Sequence, residues 1–137
     1  MTDLILTDNQ GGVLVVTLNR PAKKNAINTE MWAGLGDAFR AAAADDEVVC
    51  VLLCGAGDNF CAGTDLTSFG ENQAGEVHPF EATARAVAEF DKPLVAAAQG
   101  VAIGGGATVL FHADIVYVGQ SLRMRLPFAS LGLVPEW

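Results

Sequence analysis

Gly100-Val101-Ala102-Ile103-Gly104-Gly105-Gly106 is the stretch that decides the fold. Three adjacent glycines behind an uncharged, β-rich run leave bare backbone N–H groups where a ligand can approach closely. Two phosphate-binding readings fail here. A P-loop needs Lys and Ser/Thr after its last glycine, whereas Gly105 is followed by Gly106; a dinucleotide fingerprint starting at Gly104 needs glycine where the chain has Val109. What remains is a donor-rich loop opening a helix. Such a loop suits a group that gains negative charge during a reaction, because the N–H groups and the helix dipole both point at it.

Outward from that loop, Leu94 to Gln99 reads as a buried strand behind Lys92-Pro93, Gly105 to Phe111 as a helix, and Ile115 to Val118 as a further strand. Upstream, Gly55-Ala56-Gly57-Asp58-Asn59-Phe60-Cys61-Ala62-Gly63-Thr64-Asp65-Leu66 forms a second glycine loop after the apolar run Val48 to Leu53. That run is apolar at every position, which predicts a strand buried on both faces. Val13 to Leu18, bounded by Gly11-Gly12 and Pro21, predicts a strand in a hairpin with an earlier one near Leu4 to Thr7. Asn28 is a candidate N-cap for a helix whose Met31, Leu35, Ala38, Phe39 and Ala42 share one face and which ends near Asp45. Phe80, Ala84 and Val87 predict a second helix, and the polar, irregular segment Ser68 to His78 predicts a mobile loop over the pocket. Strand, helix, strand, helix, strand is the pattern of an α/β fold with right-handed crossovers. It sets both glycine loops at the C-terminal ends of parallel strands, where such sheets bind ligands.

With 137 residues, 51% of them hydrophobic and 18% charged, the chain has enough apolar surface for a core. A net charge of −8 argues against a partner that is nucleic acid or an anionic membrane surface. It leaves room for a phosphorylated small ligand, and Arg20, Lys23 and Lys24 form the densest basic cluster. Cys50, Cys54 and Cys61 suit buried thiols in a reducing compartment. On a strand, Cys50 and Cys54 point to one face about 13 Å apart, too far to share a zinc ion. His78 and His112 have no partner at ligand spacing and read as surface or satisfied-core histidines. The N-terminus carries no signal-peptide pattern, so the expected location is cytoplasmic. Pro93 to Phe111 carries no formal charge, but its glycine-rich centre fits a buried strand plus helix better than a membrane span.

Taken in order, Leu18-Asn19-Arg20-Pro21, Asn25-Ala26, the two glycine loops, Lys92-Pro93 and Asp114 resemble the crotonase (enoyl-CoA hydratase/isomerase) superfamily. The resemblance implies a crotonase-like ββα-repeat fold, incomplete at the C-terminus. Residues 1–137 are then the N-terminal portion of an acyl-CoA-binding domain. It implies an acyl-CoA thioester as ligand, no metal, and no cofactor apart from the coenzyme A of the substrate. With its second half present, the module is expected to form a homo-oligomer, a trimer or hexamer.

The family's shared chemistry is stabilisation of a thioester enolate by two backbone donors, which the resemblance assigns to the N–H groups of Thr64 and Gly105. Hydratases of the family carry one Glu two residues after the glycine triplet and another in a Pro-Glu pair. Here those positions are Thr108 and Phe128. Pro127-Phe128-Ala129-Ser130-Leu131-Gly132-Leu133-Val134-Pro135-Glu136 and Cys61 to Phe69 instead resemble the Δ3,Δ2-enoyl-CoA isomerase branch of fatty acid β-oxidation, whose catalytic Glu matches Glu136. Substrate contacts are expected from Arg20, Lys23, Lys24, Ala26, Ala62, Gly63, Asp65, Leu66, Gly104, Phe128 and Leu133. Asp65 itself reads as a loop-fixing acceptor, and Asp114 as structural. The alternatives are an enoyl-CoA hydratase and, from another class, a catalytically inactive acyl-CoA-binding or assembly fragment.

Overall fold

The computed structural model describes residues 3–68 and 75–137. In chain order these residues form β1 (Ile5–Gln10), β2 (Val13–Leu18), α1 (Thr29–Ala44), β3 (Cys50–Gly55), α2 (Pro79–Ala88), β4 (Leu94–Ala98), β5 (Val101–Ile103), α3 (Gly105–His112), β6 (Ile115–Val118) and β7 (Arg123–Arg125). The Gly11-Gly12 turn folds β1 back antiparallel on β2, and β3, β4 and β6 then add in parallel, giving the order β1-β2-β3-β4-β6. Residues 69–74, most of the segment read as a mobile loop, lie outside the described residues.

Register puts Leu14, Val51 and Leu94 in one row and Val16, Leu53 and Ala96 in the next, on the face that meets the helices. Alternate residues of a strand share a face, so these rows are the sheet's half of the core. The other half comes from α1, whose Met31, Trp32, Leu35, Ala38, Phe39 and Ala42 are all buried. Asn28 caps this helix as expected, its side chain accepting from Met31 N–H at 2.9 Å. At the opposite end Lys92 Nζ donates to Ala42 O and Asp45 O at 2.7 Å each, placing a cation at the negative end of the helix dipole. Asp114 is structural as well. Its carboxylate accepts from Leu94 N–H at 2.8 Å and joins the start of β6 to β4.

Helix α2 lies across α1 at Gly36, where a Cβ would sit 2.6 Å from Thr83 Oγ1. Thr83 is fully buried and donates from Oγ1 to Trp32 O at 2.5 Å, which makes it the centre of this contact. The apolar spacing alone points to Phe80, Ala84 and Val87 as the inward face. Thr83 is polar and so falls outside that reading.

Two features differ from the expectations. Strand β3 begins at Cys50, not Val48, and only Val51 and Leu53 are buried while Cys50, Leu52 and Cys54 are half-buried. An unbroken apolar run does not distinguish one covered face from two, and here only alternate residues of β3 are fully buried. Second, β5 and β7 pair in parallel as a separate two-stranded sheet. Three-residue strands are too short to show alternation, so neither is legible as a strand in the sequence.

No helix among the described residues is long and apolar enough to cross a membrane. The uncharged run from Pro93 to Phe111 folds as β4, β5 and most of α3. Phe39 is fully buried and meets Phe90 edge-on at 5.2 Å. Phe39→Ala is expected to cost about 3–5 kcal/mol in urea unfolding; a loss below about 1 kcal/mol would show that α1 does not anchor the core.

Candidate active site

The two glycine loops meet backbone to backbone. Cys61 N–H donates to Val101 O and Ile103 N–H to Cys61 O, both at 3.0 Å, so Cys61 bridges in parallel to β5. Side chains have no place between them. A Cβ on Gly63 would lie 2.6 Å from Ile103 O, and one on Gly106 would lie 2.7 Å from Cys61 Cβ. Gly63 also has φ +94°, a conformation that strains any residue with a Cβ. Cys61 is buried and its thiol is pushed up to about 12 by desolvation, only partly offset by the Gly63 N–H that it accepts at 3.3 Å. It is a packing residue, inert as a nucleophile.

Planarity of the peptide then aims two N–H groups. In a trans peptide the C=O and N–H point in opposite directions. Gly63 O accepts Ile27 N–H at 2.8 Å, and Asp65 N–H donates to Ile27 O at 2.8 Å, so the peptide between Gly63 and Thr64 turns its N–H away from Ile27. Gly104 O accepts from Ala107 and Thr108 N–H at 2.9 Å each, so the Gly105 N–H points out of the start of α3. Among the described residues neither Thr64 N–H nor Gly105 N–H meets an acceptor. Trp32 and Thr64 flank the second of them: a Cβ on Gly105 would lie 3.6 Å from the Trp32 ring and 4.0 Å from Thr64 Oγ1.

Trp32 continues into an aromatic cluster. Phe80 meets it edge-on at 5.0 Å and Trp137 at 5.8 Å, while His112 stacks on Trp137 at 5.2 Å. Burial lowers the His112 pKa from its ordinary value, so neutral imidazole is the favoured form beside the indole. The indole N–H groups of Trp32 and Trp137 are buried without a hydrogen-bond partner among the described residues. Trp32 stands three residues before Leu35 and seven before Phe39, so helical spacing places it on the buried face but carries no signal of the loop that lies against it.

The loop from Arg20 to Ile27 supports the first donor. Asn25 is fully buried with φ +56° and donates to Ala56 O at 3.0 Å and Asn59 O at 2.7 Å, while accepting from Arg20 N–H at 2.8 Å. Asn59 in turn accepts Val101 N–H at 3.0 Å, and Gln99 donates to Gly55 O and Gly57 O. Three amide side chains thus hold loops that lack regular structure. Arg20 Nη1 reaches Asp65 Oδ2 at 2.6 Å and Ala26 O at 3.1 Å. The Asp65 carboxyl falls to about 2 chiefly through this bond to Arg20, helped by two from Thr67.

The expected site residues therefore divide. Ala62, Gly63, Thr64 and Asp65 are brought to Gly104 and Gly105 on one side and to Arg20 and Ala26 on the other. Lys23 and Lys24 are exposed on a short 3-10 turn, with Lys24 O accepting from Ala62 N–H at 2.9 Å. Leu66 is exposed. The chain beyond β7 leaves beside Gly104, whose N–H donates to Arg125 O at 3.0 Å, and Phe128 and Leu133 close a turn there at 2.8 Å. Glu136 is exposed, next to the packed Trp137. A groove of about 490 Å³ whose lining includes Arg20, Asn28, Ala33, Asp65, Thr67 and Pro79 adjoins the loop that carries Thr64. A further groove of about 540 Å³ lies away from both loops, between the β1–β2 hairpin and α1; the peptide geometry, not the cavity size, marks the site.

Comparison with known proteins gives this architecture a family. The profile of the enoyl-CoA hydratase/isomerase family matches residues 8–137, so the chain belongs to that family. Human enoyl-CoA delta isomerase 2 is 36% identical over 98% of this chain and 36% of its own length. The 2,3-dehydroadipyl-CoA hydratase of Escherichia coli is 36% identical over 98% of this chain and 53% of its own. The crystal structure of an enoyl-CoA hydratase/isomerase from Pseudoalteromonas atlantica T6c superposes with a TM-score of 0.92 at 40% identity, covering 98% of this chain and 53% of that one. The chain thus spans about half, or less, of the relatives it matches. The fold is that of the crotonase family, as its motifs imply.

Asn25→Ala strands Ala56 O, Asn59 O and Arg20 N–H, and is expected to cost about 2–4 kcal/mol of stability in urea unfolding. Asp65 gives a pH signature. Its folded pKa of about 2 lies below the ordinary 3.8, so its contribution is present above that ordinary value and is lost as pH falls toward 2. The melting-temperature gap between the parent and Asp65→Asn is expected to narrow from about pH 6 to about pH 2; a constant gap contradicts the ion pair.

Proposed function

We propose that this chain supplies the oxyanion-binding part of an acyl-CoA enzyme whose reaction is the isomerisation of 3-enoyl-CoA to 2-enoyl-CoA. The observation that carries this reading is the pair of unpartnered N–H groups, Thr64 and Gly105, on two abutting loops. A thioester oxygen accepting from both gains negative charge as the α-carbon loses its proton, and fixed donors stabilise that charge without reorganising. Each is worth about 3 kcal/mol in the transition state. Lys23 and Lys24, exposed near the Ala62 backbone, are suited to the phosphates of coenzyme A.

Isomerisation needs one group that takes a proton from C2 and returns it at C4, and a single carboxylate performs both transfers. Glu136 is assigned that role. Support comes from its neighbour, since Trp137 packs on Trp32 and Trp32 flanks Gly105. Hydration makes a different demand, because a water must be held and deprotonated. Relatives of both kinds are equally similar, so the choice rests on the residues at two positions. Thr108 is buried with its hydroxyl turned to Gly105 O at 3.3 Å, and Phe128 has no ionisable group. Neither can serve as a base.

In the full-length natural protein, 3-enoyl-CoA is expected to isomerise far faster than 2-enoyl-CoA is hydrated. Glu136→Gln keeps the shape and removes the base, so isomerisation should fall by about 10²- to 10⁴-fold in a spectrophotometric assay. Gly105→Pro deletes one donor and should abolish turnover in a folded variant. A parent that mainly hydrates, or a Glu136→Gln variant at the parent rate, assigns the carboxylate wrongly.

A further inference from the structure

We propose that Arg20 and Asp65 are a positioning pair for the Thr64 N–H, so that a guanidinium on one loop governs how well a donor on another meets the thioester oxygen. This rests on the acyl-CoA reading above and deepens it. Arg20 then serves the oxyanion site, where its place in the basic cluster had suggested a phosphate ligand.

The argument starts at Asp65, which directly follows Thr64 and has both carboxylate oxygens engaged. Oδ2 takes Arg20 Nη1 at 2.6 Å; Oδ1 takes Thr67 N–H at 3.1 Å and Thr67 Oγ1 at 2.8 Å. The same Arg20 nitrogen donates to Ala26 O at 3.1 Å, and Ala26 precedes Ile27, whose N–H and C=O clamp Gly63 and Asp65. One guanidinium therefore bonds both sides of the clamp that sets the Thr64 peptide. Its own backbone is held by Asn25 Oδ1, so its position is inherited from a buried residue. Rotating the Thr64 N–H away from the site means breaking the Ile27 bridge or dragging Asp65 off Arg20.

Both side chains are largely covered, at 22% and 15% exposed, which weakens solvent screening relative to a surface pair. Burial alone would raise the Asp65 pKa, and its depression shows the carboxylate stabilised by its partners. Lys cannot replace Arg here, because its side chain is one atom shorter than the path to Arg20 Nη1, the single nitrogen that donates to both Asp65 and Ala26. Misplacing a reacting group by a fraction of a bond length is enough to lower the rate.

The test uses the full-length natural protein with 3-enoyl-CoA as substrate, and bound hexanoyl-CoA as probe, its thioester C=O stretch read by infrared difference spectroscopy. Arg20→Lys and Asp65→Asn are each expected to lower kcat about 10- to 100-fold, with KM within about threefold, and to return the C=O stretch toward its free value. Thr67→Ala, which removes the hydroxyl bond to Oδ1 but keeps the backbone N–H bond and the ion pair, should give a smaller change in the same direction and serves as the third arm if either of the others does not fold. Parent-like kcat and stretch in folded variants overturn the proposal, as does a loss confined to KM, which is the mark of a phosphate contact. A parent that does not shift the stretch overturns the acyl-CoA reading and the pair's role together. A shift present in the parent and undiminished in the variants removes only the pair's role.

Discussion

The contact between Cys61 and β5 is a place where two backbones touch with no side chain between them, and much of the molecule is arranged around it. Gly63 lies against Ile103 O and Gly106 against Cys61, so both loops reach the same spot from different strands. That closeness brings Thr64 beside Gly105, where a Cβ on the glycine would lie 4.0 Å from Thr64 Oγ1. Close approach sets the glycines, planarity of the peptides sets the directions, and the helix start leaves the second donor free. Both donors are backbone groups.

Backbone N–H groups survive most side-chain substitutions, so their directions depend on the residues that hold the loops. Asn25, Asn59 and Gln99 tie irregular backbone together through their amides, and Arg20 with Asp65 adds a partly buried ion pair. Buried polar groups persist only when they are satisfied, so these side chains form an interlocked set whose members fail together. On the other flank, Trp32 packs edge-on against Phe80 and Trp137 beside Gly105.

Much of the scaffold was legible in the residues. Asn28 as N-cap, the Met31 to Ala42 stripe and the turn at Gly11-Gly12 are local signals, and each is found where its chemistry puts it. Two strands were not. Val101 to Ile103 and Arg123 to Arg125 pair with each other across 22 positions of sequence, and no local pattern announces a partner that distant. Thr83 was hidden for a related reason: it is polar, and its burial follows from the groove that Gly36 opens in another helix.

The sequence by itself determined the two glycine loops and their place after apolar strands, which with Leu18-Asn19-Arg20-Pro21, Asn25-Ala26, Lys92-Pro93 and Asp114 point to the family, and the absence of carboxylates at Thr108 and Phe128. These are properties of residue type and spacing along one chain, and they need no coordinates. Tertiary structure alone decided that Arg20 faces Asp65 rather than solvent, that Trp32 flanks Gly105, and which way the Thr64 N–H points. Those facts depend on bonds from Ile27, Ala26 and Asn25, segments far away in sequence that come to the loop only when the sheet closes. Direction is a property of fixed peptide planes, and a sequence has none until its partners fix them.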